Sequence, residues 1–365
     1  MSLESGSLSC RLFYLPRALP PGALDRFAAA AAPPLDSLGG NAITGWVTGR
    51  HLLDRVITEE NAFLAGYLRL TLMKAERKIP AALLRAECRL AELAEMQARG
   101  AAFLKRNERA EIKREITNRL LPQMPPTLTG IDLACDIQAD WLVATAVSEA
   151  QVEAFTVQFR NTTGCDAMPM TAAAIAASHR RRDVRDLPSA SFSPEVDDGE
   201  GGNHTGHEFL TWLWYMSEAG GGIIEIEAGG VSVLVEGPLT FFFEGGGAHE
   251  TALRKGAPEI SMEAKAALLS GKKLRRAKLT LNCRDTTWSV NFDADGFALR
   301  GLKLPKVDNL DSISRFQERM LAIHGIKTVI EQLYLRYLDT RIDAAGWQET
   351  CTAMRRWVSN RAAKR

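Results

Sequence analysis

The chain has 365 residues, a formal net charge of +1, and 46% hydrophobic and 24% charged side chains. That is the make-up of a water-soluble globular protein of roughly two or three domains. No apolar run approaches the ~20 residues that span a bilayer, and residues 1–9 lack the basic and apolar regions of a secretory signal. We therefore expect a cytoplasmic protein with no membrane partner, its six cysteines, which lack C-x-x-C spacing, held as reduced thiols.

The first segment, residues 10–15, reads as a short apolar strand, followed by a helix over 20–31 and an extended stretch over 42–47. Residues 63–73 alternate in the manner of a strand. Pro80 then opens a long helical region over 81–121, broken only at Gly100, which predicts two helices or one kinked helix. The proline cluster Pro122, Pro125 and Pro126 stops it. A hairpin follows over 130–147, and Ser148 with Gln151 forms a capping box for a helix that Gly164 ends. Residues 179–207 turn to Arg, Asp, Ser, Pro and Gly, the composition of a linker or mobile loop.

Beyond it, residues 209–216 are densely aromatic, and 223–227 with 231–235 flank Gly229-Gly230 as a hairpin. A further strand is expected over 239–243. Ser261 caps a short helix that ends near Gly271. Strands are expected over 272–284, 287–293 and up to 304, with a turn at 293–296. The chain after Pro305 is helical, with Ile313, Phe316, Met320, Ile323, Val329, Ile330, Leu333 and Tyr337 on one apolar stripe.

The expected class is α+β, with several antiparallel sheets, strand–helix–strand units and a protruding long helical segment. The expected domains are an N-terminal α+β domain (1–78, continued by 122–178) and the helical projection (79–121). A linker (179–208), a second α+β domain (209–306) and C-terminal helices (307–365) complete the chain.

The strongest chemical signal is charge. Residues 272–278 hold five cations in seven positions, and no acidic residue lies between Ala264 and Arg284. Strand alternation sends Arg276, Lys278, Thr280, Asn282 and Arg284 to one face and Ala277, Leu279, Leu281 and Cys283 to the other. A sheet with one apolar and one basic face suits a polyanion. The competing reading is a solvated charged face that blocks edge pairing. Residues 254–306 carry twelve Lys/Arg against five Asp/Glu on a nearly neutral chain, which favours a local electrostatic footprint. Lys105, Arg106, Arg109, Lys113 and Arg114 form a second basic group on the long helix, and Lys303 and Lys306 lie on the strand next to the basic one.

Catalytic motifs are weak. His204 and His207 form H-x-x-H beside Glu208, with Asp197, Asp198 and Glu200 upstream, but the Gly-rich surroundings read as solvated loop. The glycines at 220–222 and 245–247 do not match a phosphate loop. Asp293 and Asp295 are accounted for by turn chemistry. Trp212, Trp214, Tyr215 and Trp288 could stack on bases, but core packing is the expected use.

The ordered set Gly45-Trp46-Val47, Lys78-Ile79-Pro80, Arg109-x-Glu111-Ile112-Lys113, Leu120-Leu121-Pro122 and Ile131-Asp132 carries a resemblance. It continues with Leu210-Thr211-x-Leu213, Ile260-Ser261-x-Glu263, Gly271-Lys272 and Leu299-Arg300-Gly301-Leu302-Lys303-Leu304. This set resembles the recombination-associated protein RdgC family over nearly the whole chain. Two departures stand out: residues 223–243 look like an insertion, and the loop after Leu121 has Met124, Pro125, Pro126 and Leu128 where aromatics are expected.

The resemblance implies a nucleoid-associated, ring-shaped homodimer that encircles double-stranded DNA without sequence preference and limits RecA filament formation. RecA would be affected indirectly, through occupancy of DNA, and single-stranded DNA is a further ligand to test. The residues expected to neutralise phosphates are Lys272, Lys273, Arg275, Arg276, Lys278, Arg284, Lys303 and Lys306, with Lys105, Arg106, Arg109, Lys113 and Arg114. No catalytic residue, metal or cofactor is expected. The alternative is a metal-dependent DNA exonuclease, a name that some family descriptions carry, and a third is a module that contacts recombinase through the C-terminal helices.

Overall fold

The computed structural model describes residues 3–180, 183–198, 204–243, 249–255, 257, 260–306 and 310–360. Glu200 and the glycines at 245–247 lie outside them. The chain begins with β1 (Leu8–Tyr14), α1 (Ala23–Ala29), β2 (Ile43–Thr48), α2 (Glu59–Ala62), β3 (Phe63–Leu64) and β4 (Tyr67–Arg77). Helices α3 (Ala81–Arg99) and α4 (Arg106–Leu120) precede β5 (Pro126–Asp136), β6 (Trp141–Ala144), α5 (Glu149–Thr163), β7 (Met168–Pro169) and α6 (Ala172–Arg180). Then come α7 (Thr205–Glu218), β8 (Ile223–Ile226), β9 (Gly229–Phe242), β10 (Glu250–Leu253) and α8 (Met262–Leu269). Strands β11 (Lys273–Cys283), β12 (Thr286–Asp293) and β13 (Ala298–Lys303) lead into α9 (Ser312–Ile342) and α10 (Ala344–Asn360). The class is α+β. No helix among the described residues is long and apolar enough to cross a membrane.

Two compact units emerge, one of residues 1–19, 64–68 and 134–365, the other of 20–63 and 69–133. These cut across the boundaries expected from sequence, because residues 134–360 share one core. In the first unit the antiparallel order is β10-β9-β11-β12-β13-β1-β6. Phe209 of α7 lies 5.3 Å from Tyr334 and 5.7 Å from Tyr337 of α9, and 6.4 Å from Phe292 of β12. Met354 and Val358 of α10 belong to the same core, so the C-terminal helices are part of this unit. The apolar stripe of α9 is buried as expected apart from Ile313, which is 53% exposed.

Local chemistry explains the element ends. Ser148 accepts from the Gln151 N–H while Gln151 reaches back to the Ser148 N–H, the predicted capping box. Ser261 caps α8 in the same way through Ala264. Strand β9 runs unbroken where two separate strands were expected, because β11 pairs with it from Val231 to Phe242 despite register shifts. All six cysteines are free thiols. Burial pushes Cys10, Cys135 and Cys351 up to about 12, so these three are inert core groups.

In the second unit β2 pairs antiparallel with β4, Ile43 opposite Ala75 and Thr48 opposite Leu70. Ala32, Leu38, Val47, Met73 and Ala75 form its core, and Phe27 meets Trp46 edge-on at 4.9 Å. Gly45 is required here: a Cβ at this position would fall 2.4 Å from the Ala32 Cα. Gly100 ends α3 with φ 62°, as its place in the sequence suggests. The α3–α4 pair is tied by Arg99–Glu108 at 2.8 Å and Arg119–Glu87 at 2.7 Å. Helix α3 buries no side chain fully, and α4 buries only Ile116 and Leu120 near its end.

Candidate nucleic-acid interface

Strand β11 has the alternation that the sequence predicts. Leu274, Ala277, Leu279, Leu281 and Cys283 are buried, while Arg276, Lys278, Thr280 and Asn282 point outward. It is an interior strand between β9 and β12, so protection of a sheet edge does not account for its charge. Cross-strand register continues the outer face: Lys278 lies opposite Glu236 and Asn291, Thr280 opposite Leu234 and Ser289, and Asn282 opposite Ser232 and Thr287. This face is polar and charge-balanced, not uniformly basic.

The balance comes from acids remote in sequence. Arg276 pairs with Asp293 at 2.7 Å and Lys278 with Glu236 at 3.0 Å. Arg275 bridges Asp295 at 2.6 Å and Glu250 at 2.8 Å, and Lys272 gives its Nζ to Thr251 Oγ1 at 2.6 Å. Lys273 departs most from expectation. It is 5% exposed and its Nζ bonds Glu208 at 3.0 Å, so it does not face solvent and cannot meet a phosphate. A register irregularity between Leu274 and Arg276 explains why the start of the strand leaves the expected pattern. Arg284 lies beyond the strand in the turn, at φ 54°, and is exposed, so it does not share the Arg276–Lys278 face.

Glu208 is fully buried and also accepts from Arg341 Nε at 2.9 Å and Tyr337 OH at 2.9 Å. Burial alone would push its carboxyl up, but Lys273 and Arg341 overcome that and hold it below its ordinary value. Arg341 stacks over Trp347 at 4.5 Å. Lys273 therefore belongs to a core ion cluster.

Lys303 and Lys306 are exposed and carry no carboxylate partner among the described residues. They line a cavity of about 370 Å³ with Arg315 and Arg319, two cations that the sequence reading missed. Arg319 donates to the Leu3 and Gly6 carbonyls at 2.8 and 3.1 Å, and Arg315 to the Leu310 carbonyl at 2.8 Å. Their signal, cations in the first turns of the helix after Pro305, was available in the sequence.

In the second unit Lys105, Arg106, Arg109, Lys113 and Arg114 are all exposed. Arg106, Arg109, Lys113 and Arg114 have no ion pair among the described residues. At 3.6 residues per turn, Arg106, Arg109 and Lys113 fall within an arc of about 60°, and Glu108, Glu111 and Glu115 fall on the far side. The Lys105 backbone N–H, helped by Arg99, holds the Glu108 carboxyl below its usual range. Charge on this helix is thus segregated by face, with the basic side left to solvent.

The remaining motifs resolve clearly. Trp212, Trp214 and Trp288 are buried, and Trp288 Nε1 donates to the Ala322 carbonyl at 2.9 Å. They are core residues and cannot stack on bases. The H-x-x-H pair is not in a solvated loop: His204 sits at the N-cap of α7, and His207 is 1% exposed in its first turn. Asp198 is engaged with Ser191 N–H at 2.7 Å and Arg355 at 2.8 Å. The Asp293–Gly296 turn forms as expected, and Asp295 also meets His207 Nε2 at 2.6 Å.

Residues 26–181, the stretch that contains both long helices, match the family model described as "Putative exonuclease, RdgC". That match likens 156 of the 365 residues to the RdgC family. No curated protein matches it.

Proposed function

We propose that this chain binds double-stranded DNA without sequence preference by neutralising backbone phosphates. It would do so as a ring-shaped homodimer that encircles the duplex at the nucleoid and restrains RecA-dependent recombination through occupancy of DNA. The observation that carries the reading is the cationic face of α4, where Arg106, Arg109 and Lys113 stand together without acid partners on a chain of net charge +1. The likeness of residues 26–181 to the RdgC family supports a DNA-related role, and the matched stretch includes this helix. Lys303 and Lys306 offer a second, separate group of solvated cations. Arg275, Arg276 and Lys278 are weaker candidates, since a phosphate would first have to displace a carboxylate.

Combined alanine substitution of Arg106, Arg109, Lys113 and Arg114 tests this. Each side chain is exposed, so the fold should persist. Duplex affinity should fall steeply, and the slope of log affinity against log salt should shrink by up to roughly 3 to 4 if all four meet phosphates. Wild-type affinity and slope would remove α4 from the interface. The family description names a "putative exonuclease", which supports a second reading that we take to be a metal-dependent DNA exonuclease. Divalent metal separates the two: cleavage requires it, whereas backbone binding persists in EDTA.

A further inference from the structure

We propose that His204, His207 and Asp295 form a site for one divalent transition-metal ion of the zinc class. The inference stands apart from the DNA-binding reading. Two imidazoles and one carboxylate place their ligand atoms within 4.8 Å of one another, the one such group among the described residues. The stacked His204 and His207 rings lie 4.8 Å apart at an interplanar angle of 18°. Ligand atoms around a four-coordinate zinc ion lie roughly 3.4 Å apart, as bonds of about 2.0 to 2.2 Å dictate. His204, exposed at the helix start, can close that distance by a change of rotamer, and the 2.6 Å His207–Asp295 contact opens as an ion enters between them.

The surroundings are rigid, which a metal site needs. The second oxygen of Asp295 is held by Arg275 Nε at 2.7 Å, leaving Oδ1 to face His207. His207 is fixed on the buried start of α7, with Phe242 edge-on to its ring at 6.1 Å. The next residue, Glu208, anchors the helix through Lys273, Arg341 and Tyr337. Gly206 lets the helix start sit directly on the turn that carries Asp295, for a Cβ there would lie 2.2 Å from the Ala294 carbonyl oxygen. His-rich nitrogen ligation selects zinc, cobalt, nickel or iron(II) over magnesium and calcium. Exposed His204 and Asp295 leave further coordination positions to solvent.

The test is zinc titration of the full chain by calorimetry, with cobalt(II) absorption as the spectroscopic probe, on the wild type and on His204→Ala. His204 is exposed, so this variant should keep the fold, which circular dichroism checks. We expect one zinc per chain and a cobalt spectrum with nitrogen ligands in the wild type. In the variant both should weaken by more than about tenfold, the loss that even an outer-shell partner brings. Zinc should raise the melting temperature of the wild type alone. Absence of stoichiometric binding, or binding that survives unchanged in His204→Ala, would overturn the assignment.

Discussion

Lys273 shows how much one side chain's burial matters. As a member of a basic run it looks like a phosphate ligand, yet it is one of two cations that neutralise buried Glu208. Removing one partner of such a cluster strands the others, at a cost of about 3 to 5 kcal/mol. Glu208→Gln should therefore lower the urea-unfolding free energy by an amount in that range. Stability should also depend on pH with a definite sign. The folded state holds Glu208 below its ordinary value of 4.5, so its contribution is present above that pH and lost as pH falls through and below it. Lys273→Met, which keeps the apolar stem, should lower the melting temperature and leave duplex affinity unchanged. Reduced affinity with unaltered stability would return Lys273 to the interface.

At the scale of elements, the start of α7 is the least tolerant junction. Gly206→Ala would press a methyl against the Ala294 carbonyl oxygen, backbone that cannot swing away. We expect a loss of about 1 to 3 kcal/mol, the usual cost of overpacking, seen as a lower thermal midpoint. An unchanged midpoint would mean that helix and turn can separate freely. Elements like this also mark where the sequence was readable. The caps at Ser148 and Ser261, the break at Gly100 and the alternation of β11 were legible because each is a local signal of a few residues. The ion pairs were not, since Lys278–Glu236 and Lys273–Glu208 join positions 42 and 65 residues apart, and periodicity carries no information at that range. Arg276–Asp293 is different. Counting back from the turn between β11 and β12 places these two opposite each other, a register that the sequence could have given. The metal-competent histidines were misplaced for the same reason as the ion pairs: nothing near His207 says that Asp295 will sit against it.

For the whole molecule, near-neutrality conceals an uneven distribution of charge. Most cations of the basic strand are matched by acids, while Arg106, Arg109, Lys113 and Arg114 of α4, and Lys303 with Lys306, have no acid partner among the described residues. A counterion-release mechanism needs only these unmatched charges. The proposed restraint of RecA through occupancy of DNA depends on that first step of backbone binding. The most direct measurement is fluorescence anisotropy on two unrelated duplexes and one single strand, in EDTA, across a salt titration. The account predicts equal affinity for the two duplexes, falling linearly in log–log form by about 0.9 per phosphate neutralised. No binding in EDTA, or an affinity that follows sequence and ignores salt, would contradict it.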